Sequence, residues 1–283
     1  CEYTSMPPSD GDAVQVRPAA VAGRFYSDDR HRLTQTVAAY LAEGAAHLQA
    51  RQRDWPLSGH VRALVCPHAG YVFSGPIAGS AYSTLQSQCS TIHRVVLIGP
   101  AHRVAVPGLA VPSASALDTP LGTIAVDPVV TELVNEGLAG VIDEAHEDEH
   151  ALEVHLPFLQ IALSGDITIV PLLFGQCDPL VIGRVIERLW EPETLFVISS
   201  DLSHFHSHDV AERLDQATSR AIESLDAEAL GEGAACGRLG IQALIEVAIK
   251  NELRALAVDV RNSADTAGSP DRVVGYGAYV FHE

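Results

Sequence analysis

Three histidines stand just after short apolar runs. VRALV (61–65) leads into Cys66-Pro67-His68, VVLI (95–98) into Gly99-Pro100-Ala101-His102, and LFVIS (195–199) into Ser200-Asp201-Leu202-Ser203-His204. Imidazole binds zinc, iron and copper and carries protons near neutral pH. If the three runs are neighbouring parallel strands, their histidines converge past the carboxyl ends of the strands, where α/β sheets place their chemistry. Asp201 would then be a further ligand or would orient an imidazole. The plainer alternative is that these are ordinary turn residues and the histidines cap helices. Pro and Gly beside the histidines fit tight turns that hold a side chain on rigid backbone.

Other candidates surround this set. In Glu149-His150-Ala151-Leu152-Glu153, a helix would put His150 and Glu153 on one face, lining the pocket or supporting it, or simply meeting solvent. Cys236 precedes a helix expected from near Gly240; a helix N-terminus favours a thiolate, which is a soft metal ligand, whereas a lone cysteine is otherwise a small buried hydrophobe. Cys66 lies outside this set, and Cys89 and Cys177 read as structural. The run His204-Phe205-His206-Ser207-His208-Asp209 is similar to the HxHxDH pattern of metallo-β-lactamase-type hydrolases, with its last pair inverted. It gives a zinc hydrolase as an alternative, and otherwise His206 and His208 are surface residues. The chain contains neither a GxSxG elbow nor a GxxxxGK[ST] phosphate loop.

The elements that must position these residues are legible as apolar runs and periodic segments. Strands are expected at Val61–Val65, Val95–Ile98, Ile167–Leu173, Leu195–Ser199 and Tyr276–Phe281. Helices are expected at His31–Leu48, Pro128–Glu136, Pro179–Trp190, His208–Ser224 and Gly240–Asn251, with Asp127 and Asp178 as N-caps before a proline. This alternation predicts an α/β fold: a central mixed, mostly parallel sheet with helices on both faces. The 283 residues, 47% hydrophobic, suffice for one large core, expected as a single domain over 16–283 behind a mobile polar arm at 1–15. A net charge of −18 argues against nucleic acid and anionic membrane surfaces as partners. No apolar run has the length of a membrane helix, and the N-terminal residues lack a secretory pattern. Five cysteines without a CxxC pair argue against a disulfide framework and make the reducing cytoplasm the expected compartment.

At these residues the sequence resembles the MEMO family, including the members called AmmeMemoRadiSam system protein B. The likeness runs in order from Arg17-Pro18-Ala19 and Val21-Ala22-Gly23-Arg24-Phe25-Tyr26, through Pro67-His68-Ala69-Gly70-Tyr71 and Gly99-Pro100-Ala101-His102, to Asp118-Thr119-Pro120-Leu121-Gly122. It continues in Glu149-His150, His155-Leu156-Pro157, Ser199-Ser200-Asp201-Leu202-Ser203-His204 and Cys236-Gly237. The resemblance implies a fold like that of class III (LigB-type) extradiol dioxygenases, which are non-haem iron enzymes. It implies metal ligands at His68, His102 and Cys236, the thiolate standing where those enzymes have a carboxylate. It implies an acid/base at His204 with Asp201 beside it, and a pocket lined by His150, Phe25 and Tyr71. A thiolate makes the site softer, which favours copper(I) or zinc and changes the redox behaviour of iron; the resemblance as a whole implies copper or iron, with zinc as a third ion. The resemblance also implies a small-molecule or peptide ligand, redox or O₂-dependent chemistry, and a radical-SAM protein as partner; a non-catalytic binding protein using the same pocket is the alternative. The sequence departs from the family's CGxxPI pattern at Gly240, where proline is usual, and at His206 and His208, where aromatic or proline residues are usual.

Overall fold

The strand-forming runs pair as one twelve-stranded sheet in the computed structural model, which describes residues 15–51 and 59–283. Five strands form its parallel centre, in the spatial order Ile124–Val126, Thr168–Phe174, Arg94–Pro100, Thr194–Ser199 and Val61–Cys66. Beyond Val61–Cys66 the sheet turns antiparallel: Val273–His282 pairs with it, and Arg254–Asn262 pairs with Val273–His282. On the other side Ala116–Leu117 runs antiparallel to Ile124–Val126, and Val16–Arg17 pairs parallel with Ala116–Leu117. The sheet is therefore mixed and mostly parallel at its centre, as the sequence predicts.

Successive residues of the central strands point to opposite faces, and both faces are apolar. Leu64, Val95, Leu97, Ile169, Leu195 and Val197 enter one core; Ala63, Val65, Val96, Ile98, Val170, Phe196 and Ile198 enter the other. Strands buried on both sides must be covered twice, which explains why they read as continuous apolar runs. Helices Arg30–Arg51, Tyr71–Ser83 and Leu156–Ala162 cover the first face through Leu33, Val37, Ile77 and Phe158. Helices Pro179–Arg188, His208–Glu223 and Arg238–Lys250 cover the second through Ile182, Ile222, Ile241 and Leu244. Asp178 caps its helix as expected, accepting the Leu180 amide at 2.9 Å, and Asp127 accepts the Val129 amide at 2.9 Å.

Several elements go beyond the sequence reading. Among them are strand Ile124–Val126, helix Leu156–Ala162, helix Tyr71–Ser83 with Pro76 in its interior, and strand Arg254–Asn262 on the antiparallel side. The expected N-terminal arm lies outside the described residues except for Gln15, whose carbonyl accepts the Ser115 amide at 2.8 Å. No described helix is long and apolar enough to cross a membrane.

Candidate metal centre

The parallel centre delivers its polar residues to one edge. His68, His102 and Asp201 each lie two positions beyond the last residue of a central strand, Cys66, Pro100 and Ser199 respectively. His68 and His102 meet there, as the strand-end argument expects. Their third imidazole neighbour is His150, from the loop before the short 3-10 turn Glu153–His155, and not His204. The ligand-competent atoms of His68, His102 and His150 all lie within 4.8 Å of one another. The rings are 5.1 Å apart for His68 and His102, 5.3 Å for His68 and His150, and 4.7 Å for His102 and His150. This triad could hold a metal ion.

Each imidazole has its own support. His68 is buried, its Nδ1 lies 2.6 Å from Ser199 Oγ, and its amide donates to Asp201 Oδ1 at 2.9 Å. Burial, and then repulsion from the neighbouring histidines, pushes its pKa well below the ordinary value, so the ring is neutral with a lone pair to offer. His102 leans on Glu149, and the same carboxylate accepts the His150 and Ala151 amides at 2.9 Å each. Burial disfavours the charged Glu149 carboxylate, but the His102 ring, the nearby His150 ring and the backbone amides outweigh it and hold its pKa well below the usual range. His150 Nδ1 is 3.0 Å from Glu149 Oε1, yet off the angle of a hydrogen bond; buried, it has no other partner.

Cys236 completes one wall, with Sγ 3.3 Å from His68 Nε2 and accepting the Asp201 amide at 3.2 Å. The adjoining loop is held by the Gly237 amide donating to Ser200 Oγ at 2.8 Å. A Cβ on Gly237 would lie 2.5 Å from Ser200 Cβ and 2.6 Å from the Ser199 carbonyl oxygen, so only glycine permits this approach. The helix begins at Arg238 and takes Gly240 within it, so proline is not needed at that position for the helix to form. The expected lowering of the Cys236 thiol does not occur. Burial, and then the charge of Asp201, push it up to about 12, outweighing the hydrogen bonds from the backbone. Asp201 Oδ2 lies 4.0 Å from His68 Nε2, and burial raises this carboxyl's pKa despite the His68 amide and the nearby histidines.

The remaining candidates surround the triad. Phe25 lies over His150, ring centres 4.7 Å apart. Tyr71 is buried and donates its hydroxyl to the Val154 carbonyl at 2.7 Å, while its amide donates to the Phe25 carbonyl at 2.8 Å. Tyr71 thus touches the pocket through Phe25. His204 starts the short strand His204–His206 and acts electrostatically on Asp201 and Asp215. Phe205 beside it takes a left-handed backbone with φ of 66°, a conformation uncommon for a bulky residue. His204, His206 and His208 do not form a ligand cluster among the described residues; His208 instead joins the exposed Asp209 and Glu212.

Glu153 and His150 do not share a helix: His150 lies in the loop before the 3-10 turn that Glu153 begins, and Glu153 turns to the N-terminal segment. Its buried carboxylate binds Arg17, accepts the Ala20 and Val21 amides at 2.8 and 2.9 Å, and accepts the Tyr26 hydroxyl at 2.6 Å. It thereby pins the segment that carries Phe25. Glu149 and Ser199, the residues that orient His102 and His68, stand inside the family-like runs Glu149-His150 and Ser199–His204, but the sequence alone gives them no role, since a carboxylate beside a histidine and a serine at a strand end are common.

A family model described as Memo-like protein matches residues 17–280. The chain is 34% identical to a MEMO1 family protein of Aeropyrum pernix, over 94% of this chain and 99% of that protein. It is 32% identical to one of Aquifex aeolicus, over 95% of this chain and the whole of that protein, and 31% identical to one of Thermoplasma volcanium, over 94% and 98%.

Proposed function

This chain belongs to the Memo-like family, and from that premise we propose that its pocket holds a redox-active metal, copper or iron. His68, His102 and Cys236 are the ligands, with His150 as a further nitrogen donor. The observation that carries this is the convergence of three imidazoles within 4.8 Å, with a sulfur 3.3 Å from one of them. The donor set fits the group. Imidazole and thiolate suit copper, iron and zinc far better than magnesium or calcium, and His68 is already neutral. When bound, the metal would supply one-electron exchange to a small-molecule or peptide ligand in the pocket.

The chain's own residues supply the rest. Glu149 orients His102, as a carboxylate behind a ligating histidine does elsewhere. Phe25 shields His150 from solvent. His204 is the proton carrier, with the Asp201 carboxyl in its electrostatic reach. The cytoplasm as compartment and a radical-SAM protein as partner rest on the sequence reading alone and belong to the same proposal.

The test is the metal content of protein purified without added metal. Stoichiometric copper or iron in the wild type, lost in His68→Ala and Cys236→Ala and retained in His204→Ala, is the expected result. Zinc alone would overturn the redox reading. No metal, or metal indifferent to the first two substitutions, would overturn the metal reading and leave a non-catalytic binding pocket.

A further inference from the structure

We infer that Ser199, its proton held by the Ala151 carbonyl, is a positioning residue that locks His68 in its Nδ1–H tautomer, so that Nε2 faces the pocket as a free lone pair. The inference rests on the proposed metal reading for its purpose, but not for its geometry.

Ser199 ends the strand Thr194–Ser199, fully buried and in register with Cys66, two residues before His68. Its Oγ has three polar neighbours: the Ala151 carbonyl oxygen at 2.6 Å, His68 Nδ1 at 2.6 Å and His155 Nε2 at 3.0 Å. A hydroxyl carries one proton and two lone pairs. The carbonyl has no proton to give, so the serine proton must go to Ala151. Both ring nitrogens must then donate into Ser199. His68 is thereby protonated at Nδ1, and the lone pair is at Nε2, the atom 3.3 Å from Cys236 Sγ.

The same logic continues outward. His155 donates from Nε2, so its Nδ1 is an acceptor, and the Tyr82 hydroxyl stands 3.0 Å away to fill it. His155 and Tyr82 are both buried, so every donor and acceptor in the row must find its partner inside the protein. The row is a lock and not a proton wire. A wire would need Ser199 to donate toward one of the imidazoles, and that would strip the buried Ala151 carbonyl of its partner. The two strand-end histidines are consequently unequal: His102 leans on a carboxylate, His68 on a neutral hydroxyl. A carboxylate partner raises the basicity of the ligating nitrogen more than a hydroxyl does.

The test is long-range proton–nitrogen NMR on metal-free, histidine-labelled protein, comparing wild type, Ser199→Ala and Tyr82→Phe. Expected are Nδ1–H at His68 and Nε2–H at His155 in the wild type, and a mixture of tautomers at His68 in Ser199→Ala. Tyr82→Phe should leave His68 unchanged. An Nε2–H His68 in the wild type, or identical His68 tautomers in wild type and Ser199→Ala, would overturn the inference. The wild-type spectrum decides even if Ser199→Ala fails to fold. Zinc titration of the same samples should show affinity about 10–100-fold weaker in Ser199→Ala. A tautomer change with no binding of zinc, copper(I) or iron(II) by either protein would support the lock and overturn the metal reading instead.

Discussion

Glu149 grips His102 twice: Oε2 accepts the His102 amide at 2.6 Å, and Oε1 lies 3.0 Å from ring Nδ1. One carboxylate thus fixes both the backbone turn after the strand and the orientation of the imidazole that turn carries. Replacing Glu149 with Gln keeps the size and removes the charge. Metal affinity should fall about 10–100-fold, the range seen when such supporting partners are lost. Competition with a chromophoric chelator measures it, and unchanged affinity would show that Glu149 serves the backbone only.

Acid should destabilise the protein through its buried histidines. Burial, and then the nearby His150, lower the pKa of His155 from 6.5 to about 3. The unfolded chain therefore takes up this proton first as pH falls. The stability that neutral His155 contributes is full above about pH 6.5 and drains away between 6.5 and about 3. In His155→Gln the midpoint of denaturant unfolding should vary less with pH across that window. A wild-type midpoint flat from pH 6.5 to 4 would contradict it.

Glu153 should be a strong stability determinant. Substitution by Ala leaves the Arg17 guanidinium with only backbone carbonyls, of His146 and Glu149, and strands the amides of Ala20 and Val21. Breaking a buried pair in this way costs about 3–5 kcal/mol. Urea unfolding reads the loss, and proteolysis within residues 17–26 should accelerate first. Equal protease resistance in both proteins would mean that the segment is anchored elsewhere.

Gly237→Ala should push the Cys236 loop off the strand end, since the added methyl would overlap Ser200 and the Ser199 carbonyl. Overpacking of this kind costs about 1–3 kcal/mol. The local readout is Cys236 itself, which should react faster with a disulfide thiol reagent in the variant. Unchanged reactivity would place the adjustment in the helix behind the loop.

The legible part of this fold is the part dictated by burial. The strands around Val61–Cys66, Arg94–Pro100, Thr168–Phe174 and Thr194–Ser199 are apolar on both faces, so they stand out as runs. Their ends locate His68 and His102. Helix Tyr71–Ser83 escapes because Gly75, Pro76 and Gly79 weaken the helical pattern. At Gly79 a Cβ would lie 2.4 Å from the Tyr40 carbonyl oxygen, so the residue that weakens the helical pattern is the one that lets two helices touch. Strand Arg254–Asn262 escapes because only part of it is buried. His150 was visible as a pocket residue, but its place in the triad depends on a 3-10 turn that no periodicity announces.

Strand Val61–Cys66 has a consequence for biosynthesis. The strands on its two sides, Thr194–Ser199 and Val273–His282, both follow it at long sequence separation. Until they are synthesised it is an apolar ribbon with both hydrogen-bonding edges unpaired, the kind of segment that recruits unwanted partners. Its native neighbours arrive only after the intervening residues have been made, and His68 depends on that closure. The pocket therefore forms well after its first histidine has been made, and conditions that slow elongation between these strands should favour aggregation before any pocket exists.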